Sequence, residues 1–96
     1  MAVLFSLGRT FATPAALEVL GAAGVAPEDL LRRHVSGDWG DPGPEDSQFN
    51  DQALLDGSRL FSAYVLPRGT KVWVITETAG DDGRRGSTCI LLPEEY

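Results

Sequence analysis

Three prolines and three glycines frame the first half of this chain. Pro14, Pro27 and Pro44 each open a segment whose apolar residues recur at helical spacing, and Gly24, Gly37 and Gly57 stand just past the ends of those segments. Proline loses nothing at the first helical position, because that N–H has no intrahelical acceptor, and glycine adopts the left-handed backbone that closes a helix. The pattern predicts three short helices. In the first, Thr13 is the N-cap, and Ala16, Leu17, Leu20 and Ala23 fall at helical spacing. In the second, Glu28 and Asp29 occupy the positive first turn, Arg32, Arg33 and His34 the negative last turn, and Leu30, Leu31, His34 and Val35 share a face. The third runs from Pro44 to about Asp56, with Phe49, Ala53 and Leu54 inward. The short connection between the first two makes a helical hairpin.

The last third changes period. RLFSAYVL and KVWVITET flank the turn PRGT, and STCILL follows the polar loop AGDDGRRG, which predicts a hairpin and one further strand. Val72, Trp73, Val74 and Ile75 are apolar on both faces, as a central strand requires, and Trp73 reads as core. Val3 to Arg9 alternates loosely and reads as a short first strand. The expected architecture is α+β: three helices packed on one face of a small antiparallel sheet of three to four strands, in one domain spanning residues 1–96. A chain of 96 residues suits one modest core.

No apolar stretch approaches the roughly 20 residues that span a membrane. The opening run lacks a basic region and stops at Gly8, so no secretory signal is expected. The single cysteine, Cys89, permits no internal disulfide and suits a reducing, cytoplasmic setting; within TCILL it reads as a small buried hydrophobe.

Charge is the most uneven property of the chain. The net charge is −6, and all of it falls between Glu28 and Asp56, where eight acids meet only Arg32 and Arg33. Phosphate repels such a protein, so direct nucleic-acid binding is disfavoured and a protein partner with a basic surface is favoured. The loop GDWGDPGPED and the helix after it supply the candidate surface: Asp38, Asp41, Glu45, Asp46 and Asp51 to steer the partner, and Trp39 to anchor it. Two plainer readings stand beside this one: a solvated acidic face, and a Trp39 ring tucked beneath its own loop.

His34 is the only histidine, and three roles suit it: general acid or base, helix-end packing, or a partner contact. One histidine rules out a multi-histidine metal site. Asp38, Asp41 and Asp46 do not have calcium-loop spacing, so no metal is expected. Arg84 and Arg85, with Ser87 and Thr88 nearby, suit an anion clamp, or else a surface turn neutralised by Asp81 and Asp82. Gly80, Gly83 and Gly86 lack the strand–GxGxxG–helix context, and Ser6, Ser36 and Ser58 lie in no nucleophile elbow, so neither a phosphate-binding cofactor nor serine hydrolysis is expected.

RRHVSGDWGD, RLFSAY, KVWVITE and STCILLPEEY together resemble a family of small proteins carried on plasmids, phages and integrated mobile elements, and the resemblance covers nearly the whole chain beyond Arg9. It implies a setting rather than an activity: accessory genes of mobile DNA, where inhibitors of host defence, of anti-CRISPR or anti-restriction type, are common. In layout the chain is also similar to the barnase-like and colicin-like RNA-cleaving toxins. That likeness implies a metal-independent ribonuclease with His34 as acid–base, Arg84 or Arg85 holding the scissile phosphate, and Thr88 orienting it. The acidic balance argues against this second reading, because a ribonuclease must attract a polyanion.

Overall fold

The structure is a computed structural model that describes residues 3–96. Its elements run β1 (Arg9–Ala12), α1 (Pro14–Ala23), α2 (Pro27–Val35), α3 (Pro44–Asp56), β2 (Leu60–Val65), β3 (Lys71–Thr76) and β4 (Ser87–Leu91), with short 3-10 turns at Pro67–Gly69 and Pro93–Glu95. The α+β class, the three helices and the four-stranded sheet are those expected from the sequence. The helix signals act as read: the Ala16 N–H donates to Thr13 Oγ1 at 3.1 Å, and Gly24 and Gly57 close α1 and α3 at φ 71° and 81°.

The strand order is β1-β4-β3-β2. The β2–β3 hairpin and the β3–β4 pair are antiparallel, with Tyr64 opposite Val72 and Ile75 opposite Cys89. β3 is central, as its two-sided apolar character requires. β1, however, pairs in parallel with β4, Arg9 opposite Ser87, so the sheet is mixed. The first strand is also displaced from Val3–Arg9 to Arg9–Ala12. Upstream the chain bends at Gly8, whose φ is 66° and whose missing Cβ would lie 2.4 Å from the Arg85 carbonyl oxygen. Only glycine passes that point.

Alternation across the strands divides the sheet into two faces. On one, Tyr64, Val72, Val74 and Ile90 meet Ala16 and Leu20 of α1 and Leu30 of α2 in the main core. A second cluster joins Trp39, Ala53 of α3 and Leu60, with Phe5 and Leu54 packed against it. Register places Phe61, Ala63, Trp73, Ile75, Cys89 and Leu91 on the opposite face, which the helices leave open and the last four residues partly cover. Trp73 is half-buried there, with Phe61 edge-on at 4.9 Å and Tyr96 at 5.8 Å. Cys89 is half-buried on the same face rather than in the core.

α3 lies along β2, an edge strand, and turns Ala53 and Leu54 inward as expected but not Phe49. Phe49 is 70% exposed, while Asn50 is buried. The Phe61 N–H donates to Asn50 Oδ1 at 2.9 Å, and Asn50 Nδ2 donates to the Phe61 carbonyl at 2.6 Å. One amide thus satisfies both outward-facing backbone groups of that residue. The loop after α2 covers the next pair along: the Ala63 N–H donates to the Trp39 carbonyl at 3.0 Å, and the Asp41 N–H to the Ala63 carbonyl at 2.7 Å. Gly40 lies between them at φ 73°, where a Cβ would meet the Ala63 oxygen at 2.1 Å. The edge of β2 is therefore closed to another strand.

Candidate functional site

The residues proposed for an acidic surface do not all serve one purpose. Asp38 is engaged within the chain. Arg33 Nε donates to its Oδ2 at 2.7 Å and the Gly40 N–H to its Oδ1 at 3.2 Å. The Arg33 hydrogen bond, and then that of the Gly40 N–H, hold the Asp38 carboxyl below its ordinary pKa. Arg33 also stacks over the Tyr64 ring at 4.4 Å, and the Tyr64 hydroxyl donates to the Asp38 carbonyl at 2.7 Å. These contacts fix the entry to the loop. Arg32 and Asp29 form a second ion pair within α2.

The anchoring role assigned to Trp39 is corrected. Its ring is 7% exposed and packs on Ala53 and Leu60, stacked near Phe5 at 6.2 Å. Its Nε1–H donates to Asp51 Oδ1 at 3.3 Å, so Asp51 is committed to holding the ring. Burying an indole gains more than exposing it in so small a domain, and the second core needs its area. Asp51 also lies about 140° around the helix from Asp46 at roughly 100° per residue.

The remaining acids converge. Asp46, Phe49, Gln52, Asp56, Arg59 and Phe61 line a depression of about 370 Å³ between α3 and the end of β2. A second, of about 390 Å³, shares Asp46 and Phe61 and is bordered by Asp41, Lys71, Trp73 and Pro93. Glu45 and Phe49 line the outer side of α3 beside them. Among the described residues, none of Asp41, Glu45, Asp46 and Asp56 has an ion-pair partner. The Ser58 hydroxyl and then the Ser58 N–H, which donates to Asp56 Oδ1 at 2.9 Å, hold the Asp56 carboxyl below its ordinary pKa while leaving it exposed, with a smaller contribution from the Arg85 charge. The aromatic residues beside these acids are Phe49, Phe61 and Trp73, not Trp39. Three residues before Ala53 stands Asn50, and that spacing was the sequence signal for the second inward residue of α3.

The four residues of the ribonuclease reading do not form an open site. His34 is 0% exposed. Its Nδ1 lies 2.5 Å from Ser62 Oγ, its Nε2 2.8 Å from Thr76 Oγ1, Thr76 lies 2.7 Å from Thr88 Oγ1, and the Thr88 hydroxyl donates to the Leu7 carbonyl at 2.7 Å. A carbonyl only accepts, so the chain has one sense: Thr88 donates to Leu7, Thr76 to Thr88, His34 Nε2–H to Thr76, and Ser62 to His34 Nδ1. Burial and then the nearby Arg85 charge push His34 down to a pKa of about 3, which keeps the imidazole neutral. It is a core residue, edge-on to Phe5 at 5.2 Å. Arg85 is also buried; its guanidinium donates to the carbonyls of Ser58 at 2.7 Å, Glu77 at 3.1 Å and Ala53 at 3.1 Å, capping the end of α3. Arg84 is exposed in its turn, where its N–H donates to Asp82. Of these four side chains only Arg84 is exposed, and the clustering of His34 with Thr88 serves the core.

Among the described residues, no group of three metal-ligating side chains is assembled, and no helix is long and apolar enough to cross a membrane. No protein-family model, curated protein or solved structure matches this chain.

Proposed function

We propose that the protein is a non-enzymatic interaction protein whose acidic surface binds a basic, nucleic-acid-handling protein. The resemblance to mobile-element accessory proteins supplies the setting, in which such binding inhibits a host defence complex of CRISPR or restriction type. One observation carries the reading: among the described residues, Asp41, Glu45, Asp46 and Asp56 form no ion pair and stand around the depressions beside α3, while the two ion pairs nearby use Asp29 and Asp38. Carboxylates left unpaired along one side of a small domain repel one another and weaken the free fold. A partner's lysines and arginines relieve that repulsion and are steered by it.

The binding surface is therefore Asp41, Glu45, Asp46 and Asp56, in place of the sequence-derived set. The test is affinity capture from a host lysate at low and high salt, with wild type and the triple variant Asp41→Lys, Glu45→Lys, Asp46→Lys. The expected result is basic, nucleic-acid-binding proteins retained by wild type, lost in the variant and weakened by salt. Retention of the same proteins by a folded triple variant at physiological salt would overturn the reading.

A further inference from the structure

The two depressions form one trough, and we propose that it receives an arginine side chain from an extended basic segment of the partner. This deepens the acidic-surface reading and rests on it, since it names what that surface grips. Its lining sets aromatic rings beside carboxylates. Phe61 is common to both depressions, Trp73 continues the wall, and Phe49 stands exposed at the outer side. Asp46 also belongs to both, with Asp56 at one end and Asp41 at the other.

This pairing of flat rings with unpaired carboxylates matches a guanidinium better than an ammonium. A guanidinium is planar, stacks on aromatic faces, and directs two parallel N–H groups at one carboxylate. The same face already holds such a group from its own chain: Arg59 lies over the Tyr96 ring at 5.4 Å and hydrogen-bonds its hydroxyl. Tyr96 in turn packs on Trp73, and Trp73 on Phe61, and Arg59 itself borders the first depression with Phe61, so a second guanidinium over Phe61 would join a row of rings that already carries one. Lys71 borders the second depression and is the cation that opposes entry there. Asp41 and Asp46 line the same depression as Lys71, and Asp46 and Asp56 line the other with Arg59, so three carboxylates stand against two cations and the trough keeps an anionic excess.

The test uses a fluorescent oligo-arginine peptide, with oligo-lysine and the neutral isostere oligo-citrulline as comparisons. The variants are Phe49→Ala and Asp46→Asn within the trough, and Asp51→Asn outside it with the same change of charge; circular dichroism confirms that each is folded. The expected result is tighter binding of oligo-arginine than oligo-lysine, no binding of oligo-citrulline, and a loss of about threefold or more for both trough variants but not for Asp51→Asn. Equal weakening by Asp46→Asn and Asp51→Asn with Phe49→Ala unchanged would mean diffuse attraction: the trough fails and the acidic-surface reading survives. No binding of either cationic peptide to wild type at low salt overturns both.

Discussion

Lowering the pH from 7 to 5 should destabilise this protein by about 2 kcal/mol through one residue. His34 is the only histidine, and its pKa falls from 6.5 to about 3 on folding. The unfolded chain therefore takes up a proton that the folded chain refuses. The sign follows directly: a depressed folded pKa gives stability that is full above 6.5 and is lost as the pH falls toward the folded value. At pH 5 the unfolded histidine is almost wholly protonated and the folded one almost wholly neutral, a difference of roughly 1.5 pH units, or about 2 kcal/mol. The structural reason is the one-way hydrogen-bond chain. Protonation makes Nδ1 a donor facing the Ser62 hydroxyl that had been donating to it, beside the buried Arg85 charge. Carboxylates with lowered pKa values, Asp38, Asp56 and Glu95, act below about pH 4, so the interval from 6.5 to 5 reports His34. Urea unfolding at pH 7, 6 and 5 measures the loss, with His34→Gln as the non-titrating control. The variant should be less stable throughout and flat across the interval. If wild type loses less than about 0.5 kcal/mol, or His34→Gln loses as much as wild type, the buried neutral histidine is refuted. An NMR titration midpoint near 6 would say the same and would reopen the acid–base reading.

Asn50→Ala removes the one side chain that satisfies both Phe61 backbone groups, and should cost about 2–3 kcal/mol, lowering Tm by about 10–20 °C; a thermal scan showing a drop under about 4 °C would contradict the edge-capping role. Gly40→Ala places a Cβ 2.1 Å from the Ala63 oxygen at a left-handed φ, and should cost at least about 2 kcal/mol by urea unfolding, whereas Gly83→Ala, also left-handed but with open space around it, should cost about half as much.

The helices were legible because their ends are written locally. Thr13, Pro14 and Gly24 act within one turn of their neighbours, and no distant contact has to be known to read them. The parallel β1–β4 pair was not legible, because its register joins opposite ends of the chain and RTFA holds only Phe11 and Ala12 as apolar residues. Ala53 and Leu54 were read correctly as the inward side of α3, but Phe49 was misread for a specific reason. Hydrophobicity ranks Phe49 above Asn50, but an edge strand with two outward backbone groups rewards a buried amide more than a ring. Trp39 and Asp38 illustrate the limit of charge counting. The sequence locates an acid but says nothing about whether its oxygens are already committed, as Asp38 is to Arg33 and Asp51 to Trp39.

The loop from Asp38 to Asp41 ties stability to the proposed recognition surface in one short stretch. Trp39 enters the core beside Leu60, and Asp41 borders the open-face trough beside Ala63 and Trp73. The left-handed residue between them, Gly40, is what carries the chain from one side of the β2 edge to the other while its neighbours complete the hydrogen bonds of Ala63. Closing that edge removes strand addition as a mode of binding, so a partner approaching β2 meets side chains rather than free backbone. Those side chains are the ones the fold has not used: with Asp38 and Asp51 committed internally, Asp41 and Glu45 are exposed and the half-buried Asp46 borders both depressions beside Phe61. The loop's structural work therefore selects which acids remain free for the proposed recognition, and a substitution at Gly40 should disturb stability and partner binding together.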